Sequence, residues 1–194
     1  GKYAEFAVSC RTKDHSEDVL HYAKRALIDW FACTLPGGLE EPAVLITKAL
    51  DEDIGRGKST LLPQGERATT RTAALINGTA SHIIEFDDIY RDGLFHPGAP
   101  IISAALAVAE MTNSGGVDLL RAVIAGYEVA NSIAKAVNPH HYEWWHTTAT
   151  VGFFGASASA AILLGLDSKK TGHALATAGT MAAGLQQAFR ADAM

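Results

Sequence analysis

The sequence has little charge, few cysteines and none of the common nucleotide-binding signatures. Charged residues make up 19% of its 194 positions, against about a quarter in a typical soluble domain. The net charge of -5 gives no general attraction for nucleic acids or anionic membranes, so we expect neither as a partner. Such a low charge also indicates that a partner subunit or another part of the protein covers some of the surface.

The two cysteines, Cys10 and Cys33, have no spacing typical of a metal or redox site. Cys33 lies in an apolar helical pattern and is interpreted as a small core residue. Unpaired cysteines fit a reducing compartment. We therefore expect the protein in the cytoplasm or, in a eukaryote, in the mitochondrial matrix.

The longest run without charge covers residues 147–166, which is long enough to raise the question of a membrane span. It is rich in small residues and has few large aliphatic ones, which is typical of a buried helix in a soluble bundle. Within it, Gly152 and Gly155 allow either close packing of helices or close approach of the backbone to a ligand. We expect a buried helix rather than a membrane helix.

Apolar residues recur at helical spacing over most of the chain. Asp14 and Glu17 resemble a capping box that opens a first helix, and Pro36 ends it. Residues 51–67 are expected to form a loop with a short extended piece at residues 59–62. Further helices are predicted over residues 42–50, 69–84, 99–111, 117–137, 146–164 and 169–189. The predicted fold class is all-α, a multi-helix bundle with short connections, forming a single helical domain over residues 1–194.

The densest group of ionisable side chains lies in residues 77–109, between apolar segments. It consists of His82, Glu85, Asp87, Asp88, Asp92 and His96. Burying such groups is costly unless they are paired or used in chemistry. Their three-residue spacing predicts that His82, Glu85 and Asp88 share one face of a helix, with Asp87 pointing elsewhere. His96 follows a turn and is expected to fold back over the helix end.

Other interpretations of this segment stay open. The acids can cap or flank a helix end while the histidines pack. Asp87, Asp88 and Asp92 also resemble the aspartate-rich Mg²⁺ motif of all-α terpenoid synthases, although the second motif of those enzymes has no clean counterpart. The spacing His82-x-x-Glu85 resembles, in reverse order, the Glu-x-x-His pair of di-iron helix bundles. Those sites need a second such pair, which the sequence lacks. We expect no metal.

A second group of histidines, His140, His141 and His146, surrounds two tryptophans. His146 is predicted to begin a helix, where the positive end of the helix dipole lowers an imidazole pKa and favours bound anions. A neutral imidazole there suits general acid or base catalysis. The alternative is a loop that packs on a neighbour, and we favour that alternative for His140 and His141.

Several motifs together resemble the MmgE/PrpD family. The family pattern His-x-x-Asp-Phe-Asp-Asp followed by His-Pro is similar to HIIEFDD, starting at His82, and to His96-Pro97. Three later stretches are similar in the same order: GVDLLRAVIAGYEV, HTTATVG from His146, and ALATAGTMAAGLQQAF. The resemblance covers essentially the whole chain. Glu85 departs from it, because the family usually has aspartate at that position.

The family includes 2-methylcitrate dehydratase, cis-aconitate decarboxylase and iminodisuccinate epimerase. The resemblance implies a cofactor-independent lyase that makes or breaks a bond beside a carboxylate of a small di- or tricarboxylate. It also implies a homodimer in which a smaller α+β domain follows the helical domain. We expect this chain to be the helical portion without the α+β domain, acting most simply by dehydration of the 2-methylcitrate type.

The resemblance also implies roles for individual residues. His96 and His146 would handle protons or substrate carboxylates, and two carboxylates would orient or tune them. Ile89 corresponds to a position that is often threonine in decarboxylase-like members, and its missing hydroxyl favours dehydration over decarboxylation. The expected catalytic residues are His96, His146, Glu85 and Asp88. The expected substrate-binding residues are His82, Asp87, Ile89 and Gly152.

In the family, the chain continues beyond this point into a segment whose lysine and histidine complete the site. Those residues are not in this sequence. Whether the chain is itself an enzyme is therefore left open. We expect either part of a longer enzyme or an inactive helical module for dimerisation or ligand binding.

Overall fold

The predicted all-α class is confirmed by the computed structural model, which describes residues 1–190. Two short antiparallel strands accompany the helices. The helices are α1 (Lys2–Ser9), α2 (Glu17–Gly37), α3 (Glu41–Ala49), α4 (Thr70–His82), α5 (Gly98–Thr112), α6 (Gly116–Val137), α7 (Thr147–Leu163), α8 (Ser168–Met181) and α9 (Gln186–Phe189). The strands are β1 (Ile54–Thr60) and β2 (Arg67–Ala68).

Helices α5 and α7 form the centre of the bundle, and α7 packs against α5, α6 and α8. The predicted buried helix of small residues is thereby confirmed. Its glycines permit close packing, since a Cβ on Gly155 would lie 2.5 Å from Ile101 Cδ1 and 2.9 Å from the carbonyl oxygen of Gly126. Within residues 1–190, none of the helices combines the length and apolar character needed to cross a membrane.

The two N-terminal helices differ from the sequence prediction in detail. Ser16, rather than Asp14, caps α2, because its side chain directly precedes the helix and accepts a hydrogen bond from the backbone N–H of Val19. Trp30 on α2 is buried, and its ring N–H donates to Ser103 on α5 at 3.0 Å. The sequence pattern does not predict α1, which packs against α8.

The expected loop over residues 51–67 instead contains β1, which starts earlier than the predicted extended piece and pairs with β2. Ser59 in β1 donates to the carbonyl of Ala107 on α5 at 2.8 Å, which ties the strand to the bundle. The prediction missed β1 because the strand has glycine and charge at most positions and lacks the apolar alternation of a half-buried strand.

The predicted continuous helix over residues 169–189 is wrong. Helix α8 ends at Met181, and Gly184 has a φ of 150°, in a region that favours glycine. Residues 184–186, here called the strap, then pair with the backbone that precedes α7. The backbone N–H of His146 donates to the carbonyl of Gly184 at 2.9 Å, and that of Gln186 donates to the carbonyl of Trp144 at 2.8 Å.

Candidate active site

The candidate site begins where α4 ends, at His82. Glu85 takes a left-handed backbone conformation with a φ of 51°, and its N–H donates to the carbonyl of His82 at 3.1 Å. This turn breaks the helical spacing. The prediction that His82, Glu85 and Asp88 share one helical face is therefore wrong, and the turn brings Asp87 back onto His82.

Asp87 lies at the centre of a group of imidazoles, and its side chain is only 2% exposed. The Nδ1 atom of His82 lies 3.1 and 3.0 Å from its two carboxylate oxygens. The Nδ1 atom of His96 lies 3.4 Å from Oδ1 of the same carboxylate and 3.3 Å from the Asp87 carbonyl oxygen. One buried carboxylate thus faces two histidines that are far apart in sequence.

The third imidazole, His146, lies beside His82. The two rings are stacked, with centroids 6.3 Å apart and an interplanar angle of 19°, while the rings of His82 and His96 are 4.8 Å apart. The backbone N–H of His96 donates to the hydroxyl of Thr148 in the first turn of α7 at 3.1 Å. We call His82, Asp87, His96 and His146 the imidazole cluster.

His146 is the N-cap residue of α7 and is buried, with 8% exposure. Its backbone is held from both sides, because its carbonyl accepts a bond from Thr150 and its N–H donates to the strap. Burial, together with the charges of His82 and His96, lowers its pKa. The predicted helix start at His146 is confirmed, and the imidazole is biased toward the neutral form.

The pKa of His96 shifts in the direction opposite to that of His146. The hydrogen bond to Asp87 raises the pKa of His96 against the effect of burial. Burial works to raise the pKa of Asp87, but the hydrogen bonds from His82 and His96 outweigh it and hold that pKa below its usual value. The cluster therefore combines an ionised carboxylate, an imidazole that favours its cation and a neutral imidazole.

Asp88 faces away from the imidazoles. Its carboxylate accepts the N–H of Gly98 and the hydroxyl of Tyr127, each at 2.9 Å, and its own N–H donates to Asp29 at 3.0 Å. Burial raises the pKa of Asp88 to about 6. We call Asp29, Asp88 and Tyr127 the aspartate brace, because the three residues join α2, the loop, the start of α5 and α6.

The remaining predicted site residues are dispersed. Glu85 is exposed, and Ile89 is 58% exposed. Gly152 is buried against Pro100, whose ring a Cβ there would meet at 2.6 Å, so its visible role is packing. His140 is exposed, while Nε2 of His141 lies 2.7 Å from the hydroxyl of Thr150.

The aspartates of the magnesium-motif interpretation do not converge. Asp87 faces imidazoles, Asp88 belongs to the brace, and Asp92 lies on the surface 3.7 Å from Lys135. A terpenoid-type Mg²⁺ site needs carboxylates that face one cation. That interpretation is therefore wrong for this chain.

The described residues contain one set of side chains close enough to hold a metal ion. Donor atoms of His82, Asp87 and His96 all lie within 4.8 Å of one another. The Nδ1 atoms of both histidines point at the Asp87 carboxylate, with the closest contact of His82 at 3.0 Å. We therefore interpret the set as imidazoles oriented by a carboxylate, an arrangement that fixes ring tautomers.

Sequence reasoning missed three residues that position the site: Thr148, Tyr127 and Gly184. Thr148 carried a usable signal, since a hydroxyl two residues after a helix-starting histidine lies in the first turn and can face the same loop. Tyr127 and Gly184 had no comparable local signal. Their partners, Asp88 and His146, are 39 and 38 positions away in the sequence.

Comparison with known proteins supplies an independent view of the chain. A sequence model described as the MmgE/PrpD N-terminal domain matches residues 1–194. The cis-aconitate decarboxylase-like protein oryM of Aspergillus oryzae is 29% identical over 92% of this chain and 39% of its own length. The cis-aconitate decarboxylase of Aspergillus terreus is 27% identical over 94% of this chain and 39% of its own length.

A human relative gives a similar result. The Homo sapiens cis-aconitate decarboxylase is 29% identical over 84% of this chain and 35% of its own length. The chain thus spans about two fifths of the length of the curated relatives that it matches. The imidazole cluster and the brace both lie within the matched residues.

Proposed function

The chain belongs to the MmgE/PrpD family, and on that basis we propose that it forms the helical part of a lyase acting on a small di- or tricarboxylate. The observation that carries the proposal is one cluster whose imidazoles have pKa values shifted in opposite directions. The hydrogen bond to Asp87 raises the pKa of His96, and burial together with the neighbouring histidines lowers the pKa of His146. Titratable pairs whose environments separate their pKa values are typical of acid and base partners.

The proposed roles follow from these shifts. Neutral His146 has a lone pair with which to remove a proton from the carbon beside a substrate carboxylate. His96, which favours its cationic form, donates a proton to the leaving group or stabilises the negative charge that develops on the carboxylate. Glu85 adds a negative charge that contributes to the raised pKa of His96 and partly opposes the lowering of the pKa of His146.

Dehydration is the first candidate reaction. His146 takes the proton from carbon, the electron pair forms the new carbon–carbon double bond, and the hydroxyl leaves as water with the proton from His96. A substrate of the 2-methylcitrate type has the required hydroxyl and carboxylates. The exposed Ile89, which has no hydroxyl to offer a substrate, supports this candidate over decarboxylation.

Decarboxylation is the second candidate, and the names of the relatives favour it. In that reaction carbon dioxide leaves with cleavage of a carbon–carbon bond, and the electron pair stays on carbon. The cationic imidazole then delivers a proton to that carbon. Both candidates draw on the same imidazole cluster, with His96 as the proton donor in each, so the substrate and the leaving group distinguish them.

We further propose that residues 1–194 form one helical domain of a longer, homodimeric enzyme in the cytoplasm or mitochondrial matrix. Helix α2 supports a covered surface, because several of its large apolar side chains are exposed: Val19, Tyr22, Ile28, Phe31 and Leu35. A groove of about 720 Å³ runs beside them toward α6. Exposed apolar surface of this kind is typical of subunit or domain contacts. Sedimentation of the natural protein tests the dimer.

The activity test uses the natural protein that contains this chain. Purified protein is incubated with 2-methylcitrate or cis-aconitate, and new double bonds and released carbon dioxide are measured. We expect turnover of one of them, and a loss of at least 10²-fold in kcat for His96→Asn and His146→Asn, the usual range for an acid or base. His140→Asn, at an exposed histidine outside the cluster, should retain wild-type activity.

Two outcomes would overturn the proposal. Normal turnover in both cluster variants would remove the histidines from the reaction. Binding of polycarboxylates without any turnover would favour the ligand-binding module instead. Circular dichroism of each variant separates loss of chemistry from loss of fold.

A further inference from the structure

His82 has a feature that the proposed acid and base roles do not use. Its Nε2 atom is buried and has no hydrogen-bond partner among the described residues. Buried polar atoms in native proteins nearly always have a partner, and the exceptions often mark sites that bind something. This nitrogen belongs to a ring that stacks on His146 and lies next to His96, so it is part of the candidate site.

Asp87 determines which nitrogen of His82 carries a hydrogen. The Nδ1 atom lies within 3.1 Å of both carboxylate oxygens, and a carboxylate can only accept at that position. Nδ1 therefore carries a hydrogen in both forms of the ring, and Nε2 is the nitrogen that can gain one. In the neutral ring Nε2 is an acceptor, and after protonation it becomes a donor. A donor is what a substrate carboxylate requires.

The local charges favour a single added proton. His82, Asp87 and His96 form a trio in which one buried carboxylate faces two imidazoles whose rings are 4.8 Å apart. With both imidazoles neutral, the net charge of the trio is negative. One added proton brings the net charge to zero, and a second makes it positive. Among the other charged or titratable neighbours, His146 and Glu85 interact with the imidazoles. Asp88, Tyr127 and Cys33 interact with Asp87. An incoming substrate carboxylate adds negative charge beside the trio and favours uptake of a further proton.

We propose that a substrate carboxylate binds to the Nε2–H of His82, and that the trio of His82, Asp87 and His96 takes up one proton from solvent as it binds. This inference rests on the proposed function, because it takes the substrate to be a small polycarboxylate. Asp87 is then a positioning residue that holds the ring and balances its charge. No covalent bond other than the new N–H bond is formed.

The test is isothermal titration of the natural protein with propane-1,2,3-tricarboxylate, a tricarboxylate without a hydroxyl or double bond to react. Titrations at one mildly alkaline pH in two buffers of different ionisation enthalpy give the number of protons taken up. We expect a value near one for the wild type. His82→Gln should reduce the uptake to near zero and raise Kd by about tenfold, the range expected for loss of a hydrogen bond to a charged group. The control His140→Gln should match the wild type.

A wild-type uptake of zero overturns the inference, and so does an unchanged Kd and uptake in His82→Gln. Should His82→Gln fail to fold, nitrogen NMR of the ¹⁵N-histidine-labelled wild type decides. Both ring nitrogens of His82 must carry hydrogen in the complex, and a bare Nε2 overturns the inference. Binding with proton uptake but no turnover contradicts the proposed function alone, while turnover with an unaffected His82→Gln contradicts this inference alone.

Discussion

Asp87 and Asp88 are adjacent in sequence and have pKa values shifted in opposite directions, although Asp87 is buried and Asp88 is partly buried. The pKa of Asp87 is lowered although burial opposes the shift, and burial raises that of Asp88 to about 6. Asp87 faces two imidazoles, which can carry positive charge. Asp88 faces a backbone N–H and a phenol, and has Asp29 and Asp87 as negative neighbours.

The comparison shows that burial alone does not determine how a carboxylate is used. Partners that can become cations keep a buried carboxylate ionised, and neutral donors beside other acids do not. The arrangement at Asp87 suits proton transfer, and the arrangement at Asp88 suits a structural contact between helices. We therefore expect changes at Asp87 to appear in the reaction and changes at Asp88 to appear in stability.

The largest expected effect is that of Asp87→Asn on activity. The amide has no negative charge, so it no longer favours the cation of His96, and its NH₂ group is a donor where the second carboxylate oxygen was an acceptor. We expect kcat/KM to fall about 100-fold, the upper range for a residue that orients a functional group. The alkaline limb of the pH–rate profile should also move to lower pH, because the pKa of His96 falls.

Asp14→Asn is the matched control for that variant, since the Asp14 side chain is fully exposed. It should leave both the rate and the pH profile unchanged. A profile for Asp87→Asn that coincides with the wild type, with only a lower melting temperature, would show that Asp87 is structural and would remove the contrast with Asp88.

The next effect is on stability. Asp88→Ala leaves the N–H of Gly98 and the hydroxyl of Tyr127 without their partner. Gly98 is buried and Tyr127 is partly buried. Leaving two such groups unsatisfied costs about 2–4 kcal/mol in the free energy of unfolding. Thermal unfolding of the variant should occur several degrees lower, while Asp14→Ala should unfold as the wild type does. An unchanged melting temperature would contradict the stabilising role of the aspartate brace.

The two aspartates should also differ in how they couple stability to pH. The folded pKa of Asp88 is above its unfolded value, so folded protein binds more protons between about pH 4 and 6, and this contribution to stability is lost as pH rises. Asp87 has a lowered pKa, so its contribution is present above pH 4 and lost on acidification.

Asp88→Asn tests the sign of that coupling. Because the amide does not ionise, the variant should gain stability relative to the wild type as pH rises from 4 to 6. Urea unfolding at several pH values measures the difference in the free energy of unfolding. A constant difference across this range would mean that Asp88 has an ordinary pKa, contrary to the effect of its burial.

The smallest expected effect is that of a metal chelator. Since the Nδ1 atoms of His82 and His96 face Asp87 as hydrogen-bond donors, activity of the natural protein should be unchanged after dialysis against EDTA. Loss of activity after dialysis, followed by its restoration with a divalent cation, would show that the trio of His82, Asp87 and His96 binds a metal ion. The contrast would then be between a metal-bound and a metal-free aspartate.

Most of the fold follows from the sequence, because most of the helices have a recognisable apolar spacing or composition. Helices α4 to α7 lie close to their predicted ranges, and the small-residue composition of α7 indicated its burial. The failures have physical causes. The strand β1 is stabilised by contacts with α5 rather than by its own apolar pattern, and α8 ends at a turn that only the φ of Gly184 reveals.

The site was less predictable than the fold. Its residue types were identified from their density in the chain, but the grouping was wrong, because it assumed that the helix continued past His82. One residue, Glu85, with its left-handed backbone, exchanges the directions of Asp87 and Asp88 relative to that prediction. Contacts such as that of Asp88 with Tyr127 depend on packing between distant helices, which spacing along the chain does not record.

The strap has a consequence for the order in which the protein is made. The ribosome delivers His82 and His96 early, but the partner that fixes the backbone of His146 is Gly184, which is synthesised 38 residues after it. Domains generally fold as units, so we expect the arrangement around His146 to form together with the strap. The backbone N–H of His146 therefore gains its partner only after residue 184 has been synthesised.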